Sequence, residues 1–89
     1  MPLAKECFYT GGGVWISVVP FFSATEHMVM VVDSEDISIA TVYRQKPLDE
    51  LFYEENIVFS VPFAHLPSQY HKEYQEALAL LVSTIHEHK

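Results

Sequence analysis

The chain has 89 residues, five Lys and Arg against twelve Asp and Glu for a formal net charge of -7, and a hydrophobic share of 49%. That length makes one domain with a thin core, because chains of this size bury about 60–65% of their unfolded surface. The acid excess argues against direct nucleic-acid contact, which needs clustered Lys and Arg, and the longest apolar run, Val14 to Phe22, is short of the ~20 residues that span a bilayer.

The opening "MPLAKECFY" has no basic region followed by an apolar stretch of signal-peptide length. Cys7 is the single cysteine, so no disulfide forms within the chain, and a reducing, cytoplasmic setting is expected. Loss of Met1 would leave Pro2 at the terminus, as in small tautomerases that use such a proline as base. The strand-then-helix start of those enzymes and a nearby arginine are missing here.

Lys5 to Thr10 is a short aromatic strand candidate, and Val14 to Phe22 a longer one rich in β-branched and aromatic residues. Between them stand Gly11, Gly12 and Gly13. A dinucleotide fingerprint needs a helix after its glycines, and a P-loop needs Lys and Ser or Thr. Val14 and Trp15 follow instead, so the glycines are expected to supply positive φ for a turn.

His27 to Val32 and Ile37 to Tyr43 flank the polar "DSED" and read as a hairpin. If Val32 faces Ile37, one sheet face carries Met28, Met30, Val32, Ile37, Ile39 and Thr41. The other carries His27, Val29, Val31, Ser38, Ala40 and Val42. Ile57 to Phe63 is the fifth strand. Pro20 and Pro62 cannot donate to a ladder, which suits the end of the second strand and a sheet edge respectively. An antiparallel meander in sequence order satisfies both.

Pro47 to Asn56, "PLDELFYEEN", fits either a short helix opened by Pro47 or an acidic loop. Its mix of carboxylates with aromatic residues is typical of protein-contact segments, where aromatic anchors sit inside a polar rim. Asp49, Glu50, Phe52, Tyr53, Glu54 and Glu55 are therefore the candidate protein-binding residues, with the four carboxylates expected at the surface.

Ser68 to His88 has helical periodicity, with Ser68 as its N-cap. Tyr70, Tyr74, Ala77, Leu78, Leu81 and Ile85 make one apolar stripe. Of the five histidines, His86 and His88 are two apart, and His71 has Gln75 rather than a ligand four residues on. Neither pattern fits a helical zinc site, and no metal or cofactor is expected. Cys7 lies in an aromatic strand without a local nucleophile signature, so no catalytic residue is assigned.

These features define an α+β domain, an antiparallel meander of four to five strands with one C-terminal helix across one face. One helix covers one face, and the strands are apolar on both. A homodimer through the second face or an edge strand is therefore expected, with Ser38 and Ala40 permitting close approach. The function expected is a small acidic module that binds another protein or itself, in its sharpest form an inhibitor of a nucleic-acid-handling protein. The alternative is a small-molecule site or minor enzyme between the helix start and the sheet, at Tyr9, Trp15, Tyr70 and His71.

Overall fold

The computed structural model describes residues 4–88, so Pro2 lies outside the described residues. Five strands, β1 (Glu6–Gly11), β2 (Val14–Ser23), β3 (Glu26–Asp33), β4 (Ile39–Arg44) and β5 (Ile57–Pro62), form one sheet in sequence order. All four neighbouring pairs are antiparallel. A four-residue helix, α1 (Leu48–Leu51), lies between β4 and β5, and the C-terminal helix α2 (His71–Glu87) packs on β2 and β3. This is the α+β meander with a C-terminal helix that strand composition and helical periodicity predict.

The three glycines all have positive φ, 105° at Gly11, 60° at Gly12 and 82° at Gly13. Gly12 and Gly13 form the two-residue β1–β2 turn, where positive φ at both central positions matches the right-handed twist of the strands. Gly11 carries the irregularity in register between Tyr9 and Gly11. Replacing Gly12 or Gly13 with Val is expected to destabilise the fold by about 1 kcal/mol or more, because a β-branched residue resists this backbone region. Chemical denaturation checks this; unchanged stability would mean that the turn does not need positive φ.

Pro20 is not at the end of β2 but inside it, opposite Val29. The strand tolerates it because β1 pairs with β2 only as far as Val18. Beyond that point β2 has an open side, and the missing N–H leaves no ladder position empty. Pro62 does close the edge strand β5.

The β3–β4 register differs from the expected hairpin. β4 begins at Ile39, and Met30 faces Val42 while Val31 faces Thr41. The connection is longer because two aspartates hold it. Asp33 Oδ1 accepts from the amides of Glu35 and Asp36, and Asp36 Oδ1 accepts from the amide and hydroxyl of Ser38. Both are side-chain-to-backbone turns that compete with the ladder. The offset from the expected pairing is odd, so β4 turns over relative to β3. Ala40 and Val42, not Ile39 and Thr41, share the face of Met28, Met30 and Val32.

That face lies under α2. Tyr74, Ala77 and Leu81 are buried against Val19, Met30, Ala40 and Val42, and Tyr70, Leu78 and Ile85 pack partly against the same cluster. Leu78 is thus half-buried where the stripe predicts full burial. Ser68 does not cap the helix: Ser68–Tyr70 is a 3-10 turn after Pro67, without a side-chain cap. The second sheet face has its own small core. Val18, Val29 and Val31 are buried there beneath Leu51 of α1, and Phe8, Ile16 and Tyr43 pack around them. The Pro47–Asn56 segment therefore covers much of the face expected to remain open. Ala40 is fully buried under α2, and Ser38 lies in the connection before β4, so neither lines an open face.

Candidate functional site

The segment between β4 and β5 combines the two structures its sequence allows. Pro47 precedes α1 with φ fixed at -54°, and Asp49 and Glu50 occupy the first turn, where carboxylates favour the helix dipole. Four residues cannot form a stable helix on their own. Side chains and a second turn hold it instead. Glu54–Asn56 is a 3-10 turn, and the Asn56 amide donates to the Tyr53 carbonyl at 2.9 Å. Asn56 Nδ2 donates to the Glu50 carbonyl at 2.7 Å and the Leu51 carbonyl at 3.4 Å. The Glu50 carbonyl otherwise accepts from the Tyr53 amide at a long 3.4 Å, so Asn56 satisfies carbonyls left poorly partnered at the helix end.

Leu51 is fully buried, whereas both flanks stay outside. Phe52 is 38% exposed and Tyr53 56% exposed. Asp49, Glu50, Glu54 and Glu55 are all exposed. Phe52 leans edge-on against Tyr43 of β4, with ring centroids 5.5 Å apart. All six residues of the predicted protein-binding set thus come together on one ridge over the second sheet face. The four carboxylates repel one another there, weakly in solvent and less so in salt, and the repulsion is relieved when a cationic surface arrives.

An open cleft of about 510 Å³ borders this ridge, lined by Arg44, Lys46, Pro47, Glu50, Tyr53, Glu55 and Asn56. Sequence reasoning misses the contribution of Arg44, Lys46 and Asn56. The signal for Asn56 is its type: a polar residue ending an acidic, aromatic run and opening a strand suits a turn. Nothing in the pattern marks Arg44 and Lys46, whose part in the cleft depends on how α1 folds back.

The second predicted set divides between the two ends of α2. Tyr9 packs at a tilt on Trp15 at 5.1 Å, Trp15 meets His88 at 4.8 Å, and the Gly13 amide donates to the Tyr9 hydroxyl. These lie at the helix C-terminus. Tyr70 packs edge-on between Phe21 and Phe59 at the other end, and His71 stacks on Phe63 with its Nε2 at 2.9 Å from the Leu66 carbonyl. A 17-residue helix separates the pairs by about 25 Å. They do not form one site between helix start and sheet. Trp15 and Tyr70 pack on the rim of the α2 core instead, and Tyr9 stays 54% exposed.

Burial pushes the Cys7 thiol up, and a hydrogen bond with Thr84 offsets only part of this, so the thiol is held away from the reactive thiolate. Ser17 is fully buried with an unpartnered hydroxyl on the α2 side of the sheet. Among the described residues no three His, Cys, Asp or Glu converge as a metal-binding group, and no helix is long and apolar enough to cross a membrane. Comparison with protein-family models, curated proteins and solved structures finds no match.

Proposed function

We propose that this protein is a small, acidic, non-enzymatic binding module whose contact surface is the ridge from Asp49 to Glu55, and that its partner is a basic protein. The observation that carries this is the contrast at Leu51, fully buried between exposed neighbours on either side. It fixes two aromatic rings and four carboxylates on a rigid base, so little conformational entropy is lost on docking. Aromatic anchors within a charged rim are the usual anatomy of such a contact. With a net charge of -7, the approach of a cationic surface is also favoured at long range. An inhibitor that offers carboxylates where phosphates would sit, on a nucleic-acid-handling protein, is the sharpest form of this proposal.

The test is Glu54→Lys with Glu55→Lys, both exposed positions whose change leaves the core intact. For a basic protein retained from native extract, association is expected to slow about tenfold or more at low salt, and the unmodified protein's affinity to fall steeply with ionic strength. Affinity indifferent to both would reduce the segment to a solvated loop.

A second reading, self-association, keeps one specific support. Among the described residues β1 pairs only with β2 and carries no proline, so one side of its backbone has no strand partner there, and Phe8 beside it is half-buried on the second face. An edge of this kind can pair with a two-fold copy of itself. Light scattering at micromolar concentration is then expected to give about twice the chain mass; a single-chain mass removes this reading and leaves the ridge.

A further inference from the structure

The cleft beside α1 brings both signs of charge into one concavity. Arg44 ends β4, Lys46 follows it, Glu50 comes from α1, and Tyr53 and Glu55 come from the turn beyond. Among the described residues the one ion pair is Arg44 Nε with Glu26 Oε1, at 3.6 Å and half-exposed. Lys46, Glu50 and Glu55 thus line the cleft without a direct ion pair among them. Its volume of about 510 Å³ falls within the range of small-molecule sites, roughly 300–1,000 Å³.

The lining discriminates by charge. A pure cation that reaches Glu50 and Glu55 also meets Arg44 and Lys46. A pure anion meets the reverse. A molecule that carries both signs, a few bonds apart, makes charge-assisted contacts at each end and avoids both repulsions. Tyr53, an exposed aromatic residue, lines the same cleft, and an aromatic ring suits a cation. We propose that the cleft binds a zwitterion of amino-acid size, with its cation toward Glu50, Glu55 and Tyr53 and its carboxylate toward Arg44 and Lys46. Arginine and lysine suit it, because their side chains set a cation well away from the carboxylate; at a chain terminus the α-nitrogen is an uncharged amide, so no second cation stands beside Arg44 and Lys46. The same chemistry is borne by the C-terminal arginine or lysine of a polypeptide. The cleft shares Glu50, Tyr53 and Glu55 with the ridge, so a zwitterion and a docked protein compete for them; the inference does not require the protein partner, because the titration uses this protein alone.

The experiment is an NMR titration of ¹⁵N-labelled protein with L-arginine, with agmatine, which lacks the carboxylate, and with a short peptide ending in arginine as free acid or as amide. Saturable shifts are expected at the amides of Lys46, Glu50 and Tyr53 to Asn56 with arginine. Agmatine and the peptide amide are expected to bind about tenfold more weakly or worse, the loss of one charge-assisted contact. Lys46→Glu and, separately, Glu55→Gln are expected to weaken arginine binding similarly without moving amides in the α2 core. Binding of the peptide acid but not of free arginine supports the proposal with a chain terminus as the source. Agmatine as tight as arginine, shifts scattered over the whole surface, or no saturable shift with either arginine or the peptide acid would overturn it.

Discussion

The double change Leu78→Ala with Leu81→Ala is expected to leave the chain unfolded at room temperature. Leu81 is 1% exposed in the α2 core, and Leu78 packs on the rim of the same cluster. A buried Leu→Ala change costs about 2–5 kcal/mol from lost burial and the cavity left behind. Leu81 belongs at the upper end, because the strands beneath it are tied into a continuous sheet and cannot collapse inward. Leu78 belongs at the lower end. The two are one turn apart, so their costs need not add, but their sum reaches the roughly 5–10 kcal/mol that a domain this small possesses. Circular dichroism of the double variant should show loss of both helix and sheet. A folded double variant would mean that the sheet stands without α2, which contradicts a core shared by the helix and β2, β3 and β4.

The parts of the fold legible in sequence are those set by local rules. Strand composition, the glycine turn and the prolines place five strands in order, and each survives because its neighbours in the chain are its neighbours in the sheet. The α2 stripe is legible because one period runs through it uninterrupted. The β3–β4 register is not, because it depends on where Asp33 and Asp36 spend their carboxylates. A four-residue turn and a longer one tied by aspartates look alike in "DSED". Pro20 shows the same limit. Its missing N–H is harmless inside β2 only because β1 starts opposite Val18, and strand overlap is not written in either strand alone.

The candidate site divides along a similar line. The ridge is legible as a composition, acids around Phe52 and Tyr53, because composition determines what a surface segment can attract. What makes it a surface of defined shape is not legible. Leu51 reads as one more apolar residue in an acidic run, yet it closes the core on the second sheet face, and Asn56 holds the two carbonyls behind it. Tyr9, Trp15, Tyr70 and His71 invite grouping because aromatic and histidine side chains are common in pockets. The helix sets them at opposite ends, where Trp15 and Tyr70 are used in packing.

Leu51→Ala tests fold and ridge together. Leu51 is the one α1 residue buried against Val18, Val29 and Val31, so removing its branched end is expected to cost about 2–5 kcal/mol. The loss is local in character. α1 has four residues and no side-chain cap, and without its anchor the remaining ties are the edge-on contact of Phe52 with Tyr43 and the hydrogen bonds from Asn56 within the segment. Segments held by so few buried contacts open well below the global unfolding energy. Amide exchange is therefore expected to accelerate most between residues 48 and 56, with the centres of β2 and β3 affected less. The uncovered valines would then add to the apolar surface around Phe8 and Ile16, and concentration-dependent association by light scattering is expected with the variant. Every ridge carboxylate is retained, so the variant also separates charge from shape. A basic partner that recognises charge alone keeps its affinity, whereas one that needs Phe52 and Tyr53 held in place loses it as the segment detaches. Exchange that quickens evenly across all five strands would instead show α1 to be an integral part of the sheet's cooperative core, and the ridge would have no independent mobility to lose.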